Sequence, residues 1–244
     1  MSIMAIRSKT AGGSHDHADK KNRRLFVADR YRTVYEGGEG ELTEKKSRFI
    51  ATVRPVKEEE EALAFIEEMK KKYWDARHNC YAYTVGANRE STRCSDDGEP
   101  SQTAGRPMLD VLLGEGLYDT AVVVTRYFGG ILLGTGGLVR AYQGAVRAGL
   151  AASRMIEKVR AVKLEVVTDY TGYGKLQYLA AQKNYAVSDT TFTDAVTMLL
   201  LIPSEEEKRA REEIVEASNG RAQISKAGEC YFAKSGGEIL VFDR

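Results

Sequence analysis

Residues 121–125 of this 244-residue chain read Ala-Val-Val-Val-Thr. A β-branched run with no polar alternation is the pattern of a strand covered on both faces. The fold must therefore hold this segment inside a sheet that carries cover on each side. Directly behind it, five glycines fall within residues 129–137, and an alanine-rich stretch over 138–152 follows. Val139, Tyr142, Val146 and Leu150 give that stretch one apolar helical face. Glycine is costly in chain entropy, so such a density marks backbone that must approach something closely. One reading is tight packing of the helix on the sheet. The other is an anion held by free N–H groups at the helix N-terminus, near Gly129, Gly130, Gly134, Gly136 and Gly137, with Arg126 and Arg140 assisting. No Gly-Lys-Ser/Thr occurs, so this is not a P-loop. Val139 stands where the dinucleotide fingerprint needs its third glycine.

The rest of the chain sorts around this unit. Residues 1–29 are polar, lack apolar periodicity and read as a disordered leader, in which His15 and His17 form an HxH of little metal-binding promise. Strands are expected over 31–36, 47–56, 78–85 and 119–128, with 92–95 as a hairpin partner. Helices are expected over 57–73 and 107–113. A charged stretch, 154–160, reads as a linker between a first domain (30–153) and a second (161–244). The second has the order strand, helix, strand, strand, helix, strand, which is the ferredoxin-like βαββαβ pattern. Ser204 with Glu207 forms a capping-box signature before its second helix. The fold class is α+β.

Two polar segments carry possible chemistry. In Asp75-Ala76-Arg77-His78-Asn79-Cys80, His78 is an acid–base candidate. A Cys80–His78 nucleophile pair is disfavoured because residues two apart on a strand stand about 6–7 Å apart. The plainer reading is a histidine that fixes a loop. In Cys94-Ser95-Asp96-Asp97-Gly98-Glu99-Pro100, three carboxylates could chelate a hard cation such as magnesium, or serve only a turn. Thr103 and Gly105 follow, with Thr103 placed to cap the next helix.

Net charge is +1, so a protein that coats polyanions in bulk is not indicated, although a local basic patch is compatible. Three cysteines without CxxC spacing fit reduced thiols and a cytoplasmic location. No apolar run approaches a membrane span, and GxSxG, HExxH and zinc-cysteine motifs are absent.

Together, Lys46–Ile50, Asp75–Cys80, Ser95–Gly105 (SDDGEPSQTAG) and Arg126–Tyr142 (RYFGGILLGTGGLVRAY) resemble the Impact family in its bacterial, YigZ-like two-domain form. Gln102 departs from the pattern, where a smaller residue is expected. The resemblance implies a ribosomal-protein-S5-domain-2-like, two-layer first domain and a second domain similar to the last domain of elongation factor G. Eukaryotic relatives regulate translation by competing for an activator of a stress kinase, using an additional domain with no counterpart here.

The leading expectation is a binding or regulatory protein of translation that contacts RNA, the ribosome or a translation factor. Its surface would join Arg77, His78, Asn79, Arg93, Arg126, Tyr127 and Arg140 to the glycine loop. The alternative is a magnesium-dependent enzyme on a nucleotide or phosphorylated small molecule, with Asp96, Asp97 and Glu99 at the metal and His78 as acid or base. A third is a protein-interaction module anchored by Tyr81, Tyr83 and Tyr127.

Overall fold

A computed structural model describes residues 28–86 and 89–242. All of the expected leader except its last two residues lies outside them. The first domain is built on five antiparallel strands in the order β2-β3-β7-β4-β5. They are β2 (Glu39–Glu44), β3 (Ser47–Pro55), β4 (His78–Val85), β5 (Ser91–Ser95) and β7 (Thr120–Tyr127). The valine run lies in β7, at the centre. Val122 and Val124 face α2 (Gly105–Gly114) and α3 (Gly134–Ala151), while Ala121 and Val123 face α1 (Glu59–Lys72). Helix α1 thus adds cover on the face opposite the expected two layers. That is why the strand shows no alternation.

The linker expected at 154–160 is not one. Arg154–Thr168 is a single 15-residue strand, β8. Its first half pairs with β1 (Arg30–Glu36), and Ala161–Thr168 pairs with β10 (Val196–Pro203). Its charged residues suggested solvent because they are matched locally. Arg154 meets Glu36, Arg160 meets Glu229, and the Lys158 ammonium sits over the rings of Tyr31 and Phe242. One sheet therefore runs through both domains. β1 also pairs with β6 (Leu117–Tyr118), and β11 (Gln223–Ser235) and β12 (Glu238–Phe242) continue the sheet on the other side of β8.

The second domain shows the βαββαβ order, with strands arranged β9-β10-β8-β11, where β9 is Ala186–Phe192. Helices α4 (Tyr170–Gln182) and α5 (Glu207–Ala217) pack on one face over Leu164, Val166, Met198 and Leu200. The expected capping box does not form. Residues Ser204–Glu206 make a 3-10 turn, the Ser204 hydroxyl finds no partner, and Glu207 pairs with Arg211 instead. Asp169 caps α4, accepting from the Gly172 N–H.

Candidate functional site

Where β3 begins and β7 ends, a charged network lies almost wholly inside the protein. Arg126 donates through Nη1 to Glu99 at 2.6 Å, and both side chains are buried, at 7% and 3% exposure. The Tyr142 hydroxyl donates to the same Glu99 oxygen at 2.8 Å. The Cys80 thiol lies 2.9 Å from the Asp96 carbonyl oxygen and 3.3 Å from Tyr142 Oη. Burial, the largest influence, pushes the Cys80 thiol and the Tyr142 phenol well above their ordinary ranges. A thiol held protonated in this way is a packing group and not a nucleophile.

The acidic loop is organised by Asp96. Its carboxylate accepts from the backbone N–H groups of Gln102, Ala104 and Gly105 at 2.8–2.9 Å. Partial burial would push its pKa up, but these three bonds outweigh it and hold the carboxyl below its ordinary value. Asp96 thus serves the N-terminus of α2 from eight residues upstream of the cap position, Ala104. Thr103, expected there, instead donates to the Pro100 carbonyl at 2.6 Å. Asp97 accepts from the Asn79 N–H, and its own carbonyl lies 2.9 Å from His78 Nδ1. Because a carbonyl only accepts, Nδ1 carries the proton, and Nε2 is left as the second ring nitrogen. Gln102 has φ +62, a left-handed conformation that glycine or asparagine adopts more readily.

The three carboxylates therefore do not converge. Asp96 turns to α2, Asp97 to β4, and Glu99 to Arg126 and Tyr142. Among the described residues, no three His, Cys, Asp or Glu side chains are grouped as metal ligands would be.

Outside this network lies a cleft of about 460 Å³ lined by Asp75, Arg77, His78, Arg126, Tyr127, Phe128 and Leu132. Tyr127 donates to Asp75 at 2.7 Å. The Arg126 guanidinium stands 5.4 Å from the Phe49 ring and 5.6 Å from Phe128. Two of the lining residues are exposed apolar side chains, Leu132 at 83% and Phe128 at 54%, and Trp74, next in the chain to the lining residue Asp75, is 82% exposed.

One wall is set by glycine. A Cβ on Gly129 would stand 2.0 Å from the Lys46 carbonyl carbon, so this position brings the β2–β3 turn against the strand end. That turn holds Lys45 and Lys46 at φ +45 and +66, a conformation normally given to Asn-Gly. The other wall leads through Leu132 into α3. Its cap residue, Leu133, makes no side-chain cap, and no acid occupies the first turn. Arg140 is exposed one turn further on.

Of the expected contact residues, Arg77, His78, Arg126 and Tyr127 meet at this cleft, with the glycine loop beside them. Arg93 does not. The β4–β5 register sets it opposite Tyr83, five residues from His78 or about 16 Å along the strand, and it pairs there with Glu59. Asn79 is buried, accepting from the Thr125 hydroxyl. Gly98 packs on the His78 ring, and Gly105 packs on the backbone of Ser95. Tyr83, offered as an anchor, is fully buried.

Sequence reasoning quoted Lys46, Ser47, Phe128, Leu132 and Tyr142 within motifs but gave none of them a site role, and it did not single out Lys45 or Trp74. Exposed apolar residues leave no periodic signature. The hydroxyl of Ser47, which accepts from the Gly129 N–H at 3.2 Å, is meaningful only once the strands are paired.

The Impact N-terminal domain matches residues 45–150, and a domain of unknown function (DUF1949) matches 166–221. The IMPACT family member YvyE of Bacillus subtilis is 40% identical over 205 residues, covering 84% of this chain and 94% of that one. The IMPACT family member YigZ of Escherichia coli is 35% identical, covering 74% and 89%. Protein IMPACT of Bos taurus is 37% identical over 99 residues, which is 38% of this chain and 30% of the bovine one. A crystal structure of a hypothetical protein superposes with a TM-score of 0.52 at 32% identity, covering 81% of this chain and 97% of that one.

Proposed function

The chain belongs to the IMPACT family, and from that premise we propose that it is a binding protein whose first-domain cleft engages single-stranded RNA. The carrying observation is the juxtaposition at one cleft of Arg77, His78 and Arg126 with the ring of Tyr127 and the exposed ring of Phe128. Single-strand binding combines cations that track phosphates with aromatic faces on which bases stack. Lys45 and Lys46 lie in the turn packed on Gly129, next in the chain to the lining residue Phe128, and Arg140 is exposed on α3. Arg77 and Arg140 have no acidic partner among the described residues, so their charge is available to an external anion.

Binding is expected to weaken with salt in proportion to the phosphates engaged. In fluorescence titrations of an unstructured RNA between about 50 and 200 mM salt, Arg77→Ala and Arg140→Ala should each lower the log–log slope by about 0.7. The chain has a single tryptophan, Trp74, next in sequence to the lining residue Asp75, so its quenching serves as the signal for binding near the cleft. Saturable quenching that disappears in Arg77→Ala is the expected result. If RNA leaves Trp74 emission unchanged and the wild-type slope is flat, the reading fails and a protein partner takes its place.

A further inference from the structure

We infer that the cleft is built for a terminal phosphate, so that the protein holds the phosphomonoester end of an RNA strand in preference to a phosphodiester within it. This rests on the RNA reading above and goes beyond it. The floor is Arg126, a guanidinium 7% exposed. Its Nη1 is given to Glu99, its Nη2 has only a 3.5 Å contact with the Ser47 hydroxyl, and its buried Nε has no partner. A buried arginine with unspent donors is costly unless something supplies acceptors. Arg77 and His78 line the same cleft, and the His78 Nδ1 bond to the Asp97 carbonyl fixes which way the ring faces.

The donors outnumber what an internal phosphate can use. A phosphodiester offers two non-bridging oxygens and one charge. A phosphomonoester offers three oxygens and a charge of about −1.5 to −2 at neutral pH. Arg77 has no ion pair among the described residues, while Glu99 is paired with Arg126 and the Asp75 carboxylate at the cleft, accepting from the neutral Tyr127 hydroxyl, keeps its charge. Size agrees as well, because about 460 Å³ lies toward the small end of ligand clefts and admits one nucleotide unit rather than a run of strand. Phe128, on the lining of the cleft, then offers its exposed ring to the terminal base. The uncapped N-terminus of α3 beyond Leu132 adds a favourable field for negative charge.

The test compares one short single-stranded RNA carrying a 5′-phosphate, a 3′-phosphate or hydroxyls at both ends, using the full chain at fixed salt. One phosphorylated end should bind about tenfold or more tighter than the hydroxyl form. Arg77→Ala should bring that ratio close to one. Arg126→Lys, judged beside its melting temperature, should lower the ratio if it folds. Equal affinity for all three RNAs would overturn the terminal-phosphate inference and leave the RNA reading standing. Failure of every RNA to bind would overturn both. Displacement of phosphorylated RNA by an equimolar nucleoside monophosphate would assign the cleft to a free nucleotide, against the inference.

Discussion

Replacing Glu99 with alanine is expected to destabilise the protein by about 3–5 kcal/mol and to lower its melting temperature by roughly 6–20 °C. The reason is what remains behind. Arg126 keeps its charge in a site where its side chain is 7% exposed, and the Tyr142 hydroxyl loses the acceptor 2.8 Å away. Each loses its acceptor, Arg126 keeping only the 3.5 Å contact with Ser47, and removal of one member of a buried pair costs far more than the pair contributes on balance. Tyr142→Phe removes a donor and leaves Glu99 matched to Arg126, so it should cost only about 1 kcal/mol. Replacing both ions, Arg126→Met with Glu99→Leu, should recover most of the stability lost by Glu99→Ala while abolishing RNA binding. That separates the structural role of the pair from its role in the cleft. Denaturant unfolding of the four proteins decides the matter. A Glu99→Ala loss below about 1 kcal/mol would mean that water reaches the pair.

Much of this arrangement was legible in the sequence, and the pattern of what was not has physical causes. The valine run of β7 identified itself because cover on both faces removes alternation, and the helices and the βαββαβ order followed from periodicity. Strand β2, Glu-Gly-Glu-Leu-Thr-Glu, was missed because it is a charged edge with only Leu42 packed against the core. Edges are kept polar against unwanted pairing. Residues 154–160 were read as a linker because paired charges and solvated charges look alike in composition. At the site, the motifs located the right segments but not the roles of their side chains. The carboxylates of Asp96, Asp97 and Glu99 are neighbours in the chain, which suggested a shared ion. In three dimensions each meets a different donor, a distinction of a few ångströms that spacing does not encode. The apolar rim was invisible for another reason. Phe128 and Leu132 come from the connection after β7, and only the pairing of β4 with β7, His78 opposite Arg126, brings them to the same cleft as Asp75, Arg77 and His78.

Asp96 shows how one carboxylate can matter without chemistry. Asp96→Ala leaves the N–H groups of Gln102, Ala104 and Gly105 without their acceptor, two of them in buried residues, and is expected to cost about 2–4 kcal/mol. Asp96→Asn keeps one carbonyl oxygen for Ala104 and Gly105, but sets an NH₂ group against the Gln102 N–H, so its cost should be intermediate. The pH dependence has a definite sign. Hydrogen bonds hold the Asp96 carboxyl below its ordinary value in the folded state, so the unfolded chain takes up a proton first as pH falls. Its contribution is fully present above the ordinary aspartate range near pH 4, and is lost as pH drops through the depressed folded value. Stability curves of wild type and Asp96→Asn should therefore lie apart at neutral pH and converge in acid. Curves that stay parallel from pH 7 to pH 3 would show that the three bonds do not depend on the charge. Loss of the loop would also free the Asp97 carbonyl that orients His78, so Asp96→Ala should weaken Trp74 quenching by RNA even though Asp96 is not among the residues lining the cleft. That coupling, measured at neutral pH where the variant is still folded, ties the acidic loop to binding through position alone.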